Sequence, residues 1–120
     1  MTALATVLVL AVAAIHVYIL ILEMFLWRAE RGRRAFGTDQ EFADRSAPLA
    51  ANQGLYNGFL AAGLVWGAIA ADPVGFQVRV FFLGCVIVAG VYGALTVNRR
   101  ILVVQAAPAI IALAVVLLTR

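Results

Sequence analysis

Two ionisable side chains, His16 and Glu23, interrupt the first long apolar segment of the chain. They are seven residues apart, or about two helical turns, so a helix would present both on one face. An ionisable group inside a membrane-spanning helix costs about 2.5–3.5 kcal/mol on insertion scales and usually faces a bundle interior or water. A carboxyl group and an imidazole in low-dielectric surroundings can be tuned for general acid–base work near neutral pH. We therefore predict that His16 and Glu23 form a catalytic or proton-handling pair.

Each of these residues also has a purely structural interpretation. Glu23 could be protonated or could pair with an arginine such as Arg99 or Arg100, and His16 could hydrogen-bond to a neighbouring helix. One histidine and one carboxylate are too few ligands to indicate a metal site. The sequence contains no nucleophile elbow, phosphate loop or redox motif. We expect no metal and no cofactor.

A polar cluster opens the second apolar segment and consists of Asn52, Gln53, Tyr56 and Asn57. Four hydrogen-bonding side chains within six residues are too polar for contact with lipid. On a helix, Asn52 and Tyr56 share one face, and Gln53 and Asn57 share the adjoining one. Interhelical side-chain hydrogen bonds contribute only about 0.6 kcal/mol on average, so stability alone is a weak reason for so many. We predict that these side chains bind and orient a ligand.

Four long apolar segments must position these groups, at roughly 4–27, 49–71, 76–97 and 101–118. Each has about 18–24 residues, enough for a helix to cross a hydrocarbon core of about 30 Å. The 120-residue chain is 65% hydrophobic and only 12% charged, with a mean hydropathy of +1.03. Strands are excluded, because a membrane strand needs only about ten residues and alternates in polarity. The sequence predicts a single all-α domain over 1–120, an integral membrane four-helix bundle.

The arginines predict the orientation of these helices. The chain has nine of them, no lysine and six acids. The first and third loops contain seven arginines, namely Arg28, Arg31, Arg33, Arg34, Arg45, Arg99 and Arg100, whereas the other side has Arg79 and Arg120. The positive-inside rule then places loops one and three in the cytoplasm and both termini outside, in a multi-pass membrane protein. A basic balance of this origin does not indicate nucleic acid, although the run 28–34 could also bind anionic lipid headgroups.

In this orientation the polar side chains share one depth. Glu23, Asn52, Gln53, Tyr56, Asn57, Tyr92, Thr96 and Gln105 all fall in the cytoplasmic half. The outer half consists almost entirely of Ala, Val, Leu, Ile and Gly. Polar residues that served only to join helices would have no reason to gather in one leaflet. We therefore predict a polar, ligand-binding pocket that opens toward the cytoplasm or inner leaflet, with His16 at its floor and Tyr92 and Gln105 in its lining.

Local signals predict where the helices begin and bend. Thr38 and Glu41 have the spacing of a capping box, which predicts a short interfacial helix in the first loop. Ser46 and Pro48 resemble an N-cap and a first-turn proline that open the second long helix. Pro108 removes one backbone N–H, so the fourth helix should bend near it.

Two glycine pairs, Gly54/Gly58 and Gly63/Gly67, predict close helix contacts in the second segment. The pairs are nine residues apart, which is half a circle around a helix, so we expect close neighbours on two sides. Because four helices bury little surface alone, we also expect a homo-oligomer.

The runs 16–27 (HVYILILEMFLW) and 52–63 (NQGLYNGFLAAG) resemble a family of small bacterial membrane proteins catalogued as domain of unknown function 1304. The resemblance covers essentially the whole chain. It implies a four-helix membrane protein and supplies no activity.

Three functions fit these features. The first is a membrane-embedded site that binds or acts on a lipophilic or amphipathic small molecule. The second is a proton-coupled exporter in which Glu23 exchanges a proton for substrate. The third is a structural partner subunit whose polar face docks another membrane protein.

Overall fold

The computed structural model describes residues 1–120, and all of its secondary structure is helical. The elements are α1 (Ala3–Met24), α2 (Glu30–Phe36), α3 (Gln40–Ile69), α4 (Val74–Thr96), α5 (Arg99–Ile101), a π-helical turn (Leu102–Ala106) and α6 (Ala107–Leu118). Three helices are long and apolar enough to cross a membrane: α1, α4 and the continuous helix Arg99–Leu118. The prediction of an all-helical chain is confirmed. The 30-residue α3 is not among the three, because Asn52, Gln53 and Asn57 lower its hydropathy.

The second long helix begins earlier than the sequence predicted. The prediction that it starts after Ser46 is wrong, because α3 runs without interruption from Gln40 through Pro48. The Ser46 hydroxyl donates to the carbonyl of Phe42 at 2.7 Å, as a residue inside a helix does, and caps nothing. Pro48 lies on an exposed part of the helix, where water can satisfy the carbonyl that its missing N–H leaves free.

The prediction of a capping box at Thr38 and Glu41 is also wrong. The start of α3 is capped instead by Asp39, whose Oδ1 accepts a hydrogen bond from the backbone N–H of Phe42 at 2.8 Å. The Thr38 hydroxyl is buried without a hydrogen-bond partner. The short helix of the first loop is α2, which precedes this position and ends at Gly37 in the left-handed conformation, with φ 68°.

The chain divides into two compact units. The first contains residues Met1–Ile15 and Leu60–Arg120, and the second contains His16–Phe59. The core of the first unit consists of small and branched apolar side chains: Ala5, Val9, Val12, Ala13, Ala61, Leu64, Leu83, Val86, Ala109, Ala112 and Val116. Such side chains let helix backbones approach closely, which is how helices pack in membranes.

The π-helical turn Leu102–Ala106 ends two residues before Pro108. Its last hydrogen bond runs from the N–H of Ala107 to the carbonyl of Leu102, five residues back. Pro108 has no N–H to offer Val104, so the α-helical pattern cannot continue there. The irregularity falls at Gln105, close to where the sequence predicted a bend.

Candidate functional site

The second unit buries a carboxyl group against an amide. The side-chain Nδ2 of Asn57, in α3, donates to Oε1 of Glu23, near the end of α1, at 2.5 Å. Glu23 is 3% exposed and Asn57 is 6% exposed. The same Nδ2 also donates to the carbonyl of Gln53 at 3.3 Å. Both protons of the amide are therefore used, which fixes the rotamer of Asn57 and points it at Glu23.

Two glycines allow this contact. A Cβ at Gly54 would lie 2.6 Å from Cγ of Met24 and 3.1 Å from Cβ of Glu23. A Cβ at Gly58 would lie 2.8 Å from Cδ1 of Leu20. The Gly54/Gly58 pair therefore lets α3 approach α1 closely enough for the short side chain of Asn57 to reach Glu23.

No positive charge of this unit compensates Glu23. The ion pairs of the unit join Arg28 with Asp44 at 2.9 Å and Arg34 with Glu30 at 3.2 Å. Glu23 receives a hydrogen bond from a neutral amide on one oxygen, and its second oxygen receives none. A buried carboxylate without a counter-charge is costly. The geometry therefore suits a group that takes up either a proton or a cationic group on that second oxygen.

His16 is fully buried and lies two turns before Glu23 on α1. It has an interaction partner of its own, as a buried imidazole needs. The structure thus buries both residues of the predicted proton-handling pair. A role for the imidazole in chemistry stays a prediction.

The other predicted ligand-binding residues are distributed differently. Asn52, Gln53 and Tyr56 have exposed side chains, and the ring of Tyr56 contacts that of Phe59 with 5.9 Å between centroids. Of the four residues of the predicted polar cluster, Asn57 is the one hydrogen-bonded to Glu23. The polar pocket that these residues were predicted to line together therefore stays a prediction.

Tyr92 and Gln105 belong to the first unit. Tyr92 is exposed and lines an apolar depression along one face of α4, together with Val80, Phe81, Gly84, Cys85, Val88 and Ala89. Gln105 is half-buried in the π-helical turn and has a partner.

Arg79 is a buried charged residue. Its place in the sequence predicted only that it lies on the outer side of the membrane. It is 3% exposed, donates from Nη2 to Asp72 Oδ1 at 3.0 Å, and donates from Nη1 to the carbonyl of Gly67 at 2.8 Å. Its Nε is buried without a partner. The available signal was its position inside an apolar helix, seven residues after an aspartate that precedes the helix.

The first loop is tied down by side-chain hydrogen bonds. The indole N–H of Trp27 donates to Oγ of Ser46 at 3.0 Å, and its ring contacts that of Phe36 at 4.9 Å. Asp44 accepts hydrogen bonds from Gln40 at 2.8 Å and from Arg28 at 2.9 Å. These two donors hold the pKa of Asp44 below its ordinary value of 3.8. The residues that follow α1 are thus fixed against the start of α3.

Fold and site together define a small helical protein with membrane-length helices and a buried carboxyl–amide pair. The chain belongs to the family described as protein of unknown function (DUF1304), whose sequence profile matches residues 10–117. It is also 36% identical over 115 residues to the uncharacterized protein YpaA of Lactococcus lactis subsp. lactis (strain IL1403), a match that covers 94% of this chain and 96% of that protein. No solved structure matches the chain.

Proposed function

We propose that this chain is a four-span protein of the bacterial inner membrane that binds or acts on a lipophilic or amphipathic small molecule. In this proposal Glu23 takes up and releases a proton at the site, Asn57 orients its carboxyl group, and His16 assists. The observation that carries the proposal is the hydrogen bond from Asn57 to the buried Glu23, in a unit that offers this carboxyl group no positive charge.

The fourth span would be α3. Its second half packs along α4 in the first unit: a Cβ at Gly63 would lie 2.3 Å from the ring of Phe82, and one at Gly67 would lie 3.0 Å from the backbone N of Arg79. Because α4 is long and apolar enough to cross a membrane, a helix packed closely beside it enters the same layer. The 30 residues of α3 are about 45 Å long, which leaves its first turns outside the hydrocarbon core.

Reporter fusions test this topology. With both termini outside, a fusion after Arg120 should read periplasmic, and a tag inserted near the exposed Gly37 should read cytoplasmic. The same compartment at both positions would overturn the four-span count.

In the proposed membrane crossing of α1, the buried carboxyl group lies in low-dielectric surroundings rather than in water, and its chemistry follows from that. When neutral, Glu23 can donate a hydrogen bond to a polar group of the ligand. When charged, it can pair with a cationic group. The amide of Asn57 serves both states, because it donates to a carboxyl oxygen that accepts in either. The site can therefore change charge without losing its internal hydrogen bond.

Infrared spectroscopy of the reconstituted protein tests the proposal. The carbonyl band of a protonated carboxylic acid should titrate in the wild type, disappear in Glu23→Gln and persist in the control Glu30→Gln, which removes an exposed acid. Dodecylamine, dodecanol and dodecanoate then serve as matched amphipathic probes. At least one should shift the band in the wild type and bind more weakly to Glu23→Gln. A band that none of the three probes shifts would overturn the binding role.

A proton-coupled exporter is the second candidate, and the same uncompensated carboxyl group favours it. An exporter predicts that a probe drives proton movement across a proteoliposome membrane, whereas a binding site or an enzyme predicts no proton movement.

A structural partner subunit is favoured by a different observation, the exposed polar side chains of Asn52, Gln53 and Tyr56. A partner subunit should co-purify with a fixed partner, either another protein or a second copy of this chain. The variant Asn52→Leu/Gln53→Leu should no longer co-purify with that partner.

A further inference from the structure

The short helix α2 is held against the end of α1. Gly32 is buried there, and a Cβ on it would lie 2.0 Å from the carbonyl oxygen of Leu26 and 3.0 Å from Cα of Trp27. The ring of Phe36 packs on Trp27, whose indole N–H is held by Ser46. α1 is long and apolar enough to cross a membrane and ends at Met24, so the proposed membrane crossing of α1 would put α2 at the depth of the lipid headgroups.

Four arginines lie in or just before α2, and two of them, Arg28 and Arg33, form hydrogen bonds within the first loop. Arg28 pairs with Asp44, and the Nε of Arg33 donates to the carbonyl of Arg28 at 3.2 Å. Arg31 and Arg34 are exposed and line a surface depression with Glu30 and Ala35. We call these four residues the α2 surface.

The guanidinium groups of the α2 surface are available to a ligand. Arg31 forms no ion pair. Arg34 pairs with Glu30 at 3.2 Å, but their side chains are 81% and 71% exposed, and such pairs are weak and exchangeable. A guanidinium group presents parallel N–H donors that match two phosphate oxygens, which the ammonium group of lysine does not. The aromatic pair Trp27 and Phe36 beside it is of the type that anchors proteins at the membrane interface.

We propose that the α2 surface binds the phosphate headgroup of anionic phospholipids of the inner leaflet through Arg31 and Arg34. The charges are complementary, and the surface stands beside the membrane because α1 ends there. Orientation by the positive-inside rule needs only positive charge, whereas this proposal needs guanidinium geometry at two positions. It rests on the proposed membrane crossing and orientation of α1 and not on the role of Glu23.

The test uses the full chain purified in a neutral detergent and titrated with short-chain phosphatidylglycerol or phosphatidylcholine, with bound lipid counted by native mass spectrometry. The wild type should prefer phosphatidylglycerol. Arg31→Gln/Arg34→Gln should lose about 25-fold in that affinity, since each of the two basic residues near an anionic surface contributes about fivefold. The matched control Arg45→Gln/Arg99→Gln removes two exposed charges elsewhere and should change it less than twofold.

Arg31→Lys/Arg34→Lys keeps the charge and should still lose severalfold. Equal binding of the two lipids, equal losses in the test and control pairs, or wild-type affinity in the lysine variant would each overturn the proposal. Because both arginines are exposed, helix content should stay unchanged in every variant, which separates lost binding from lost folding. A chain that stays soluble without detergent would instead contradict the membrane crossing of α1.

Discussion

Glu23 in the second unit and Arg79 in the first are both 3% exposed, yet their surroundings differ in kind. Arg79 meets a carboxylate, Asp72, and a backbone carbonyl, that of Gly67, so its charge is compensated. Glu23 meets only the neutral amide of Asn57. A buried charge with a counter-charge stabilises one arrangement of the chain, whereas a buried acid without one is costly whenever it is charged.

This comparison assigns different work to the two residues. Arg79 holds the turn between α3 and α4, because Asp72 also accepts a hydrogen bond from the N–H of Phe76 at 3.0 Å and so caps α4. Glu23 joins α1 to α3 by a single side-chain bond, and the packing at Gly54 and Gly58 would hold these helices together without it. Stability measurements on matched variants test this distinction.

The largest loss of stability is expected from Asp72→Asn. The variant keeps an oxygen that can cap α4 but leaves the guanidinium group of Arg79 buried without a counter-charge. Because Asp72 itself is 56% exposed, we expect a loss of about 2 kcal/mol rather than the 3–5 kcal/mol of a fully buried pair. Denaturation in a neutral detergent measures it. The double variant Asp72→Asn/Arg79→Met should regain part of the loss, and wild-type stability of the single variant would contradict the structural role of Arg79.

A smaller loss is expected from Gly67→Ala. The new Cβ would lie 3.0 Å from the backbone N and 3.2 Å from Cα of Arg79, atoms that cannot move without shifting α4. We expect a loss of about 1 kcal/mol, at the lower end of the range typical of overpacking, because only one methyl group is added. Gly84→Ala, in the same helix-rich unit, is the matched control. A Cβ there meets nothing within 4 Å, so the better helix propensity of alanine should stabilise the protein by about 0.5–1 kcal/mol. Equal effects at the two glycines would show that α3 and α4 are not closely packed.

Glu23→Gln should cost less than about 1 kcal/mol, because its amide oxygen can still accept the hydrogen bond from Asn57 and no ion pair is lost. The melting temperature in detergent checks this prediction. Asn57→Leu is the informative partner variant, since it removes the donor and adds bulk beside Gly54 and Gly58, and it should be less stable than Glu23→Gln. A loss in Glu23→Gln as large as that in Asp72→Asn would make Glu23 a structural residue.

The Glu23 side of this contrast could be predicted from sequence, and the features that could not be predicted have physical reasons. The spacing of His16 and Glu23 correctly indicated two buried residues of α1. The helix period could not say which side of the polar cluster faces α1, and Asn52 and Gln53 turned out exposed. A usable signal was the glycine pair: Asn57 follows Gly54 by three residues, which places the two side by side on a helix.

The boundaries of α3 and the role of Arg79 were the less predictable features. Pro48 suggested a helix start because proline is favoured in a first turn, but an exposed helix interior also accepts it when water can satisfy the free carbonyl. Arg79 lay too close to a loop to be recognised as buried. Its burial depends on Gly67 and Gly75, whose missing side chains leave room for it, and only the packing of α3 on α4 reveals that space.

The smallest effect on stability should come from the surface pair Arg28–Asp44. Its charges are in contact with water, unlike those of Arg79 and Glu23. The pKa of Asp44 is held below its ordinary value of 3.8 by hydrogen bonds from Gln40 and Arg28. A carboxyl group with a depressed folded-state pKa contributes stability that is present above its unfolded pKa and is lost as the pH falls through the folded one. The melting temperature of the wild type should therefore exceed that of Asp44→Asn by a small, constant margin at neutral pH, and the margin should close as the pH falls below 3.8. Arg28→Gln removes one of the two donors and should narrow the margin at neutral pH. If the difference in melting temperature between the wild type and Asp44→Asn stays constant down to the lowest pH, this pair does not stabilise the fold.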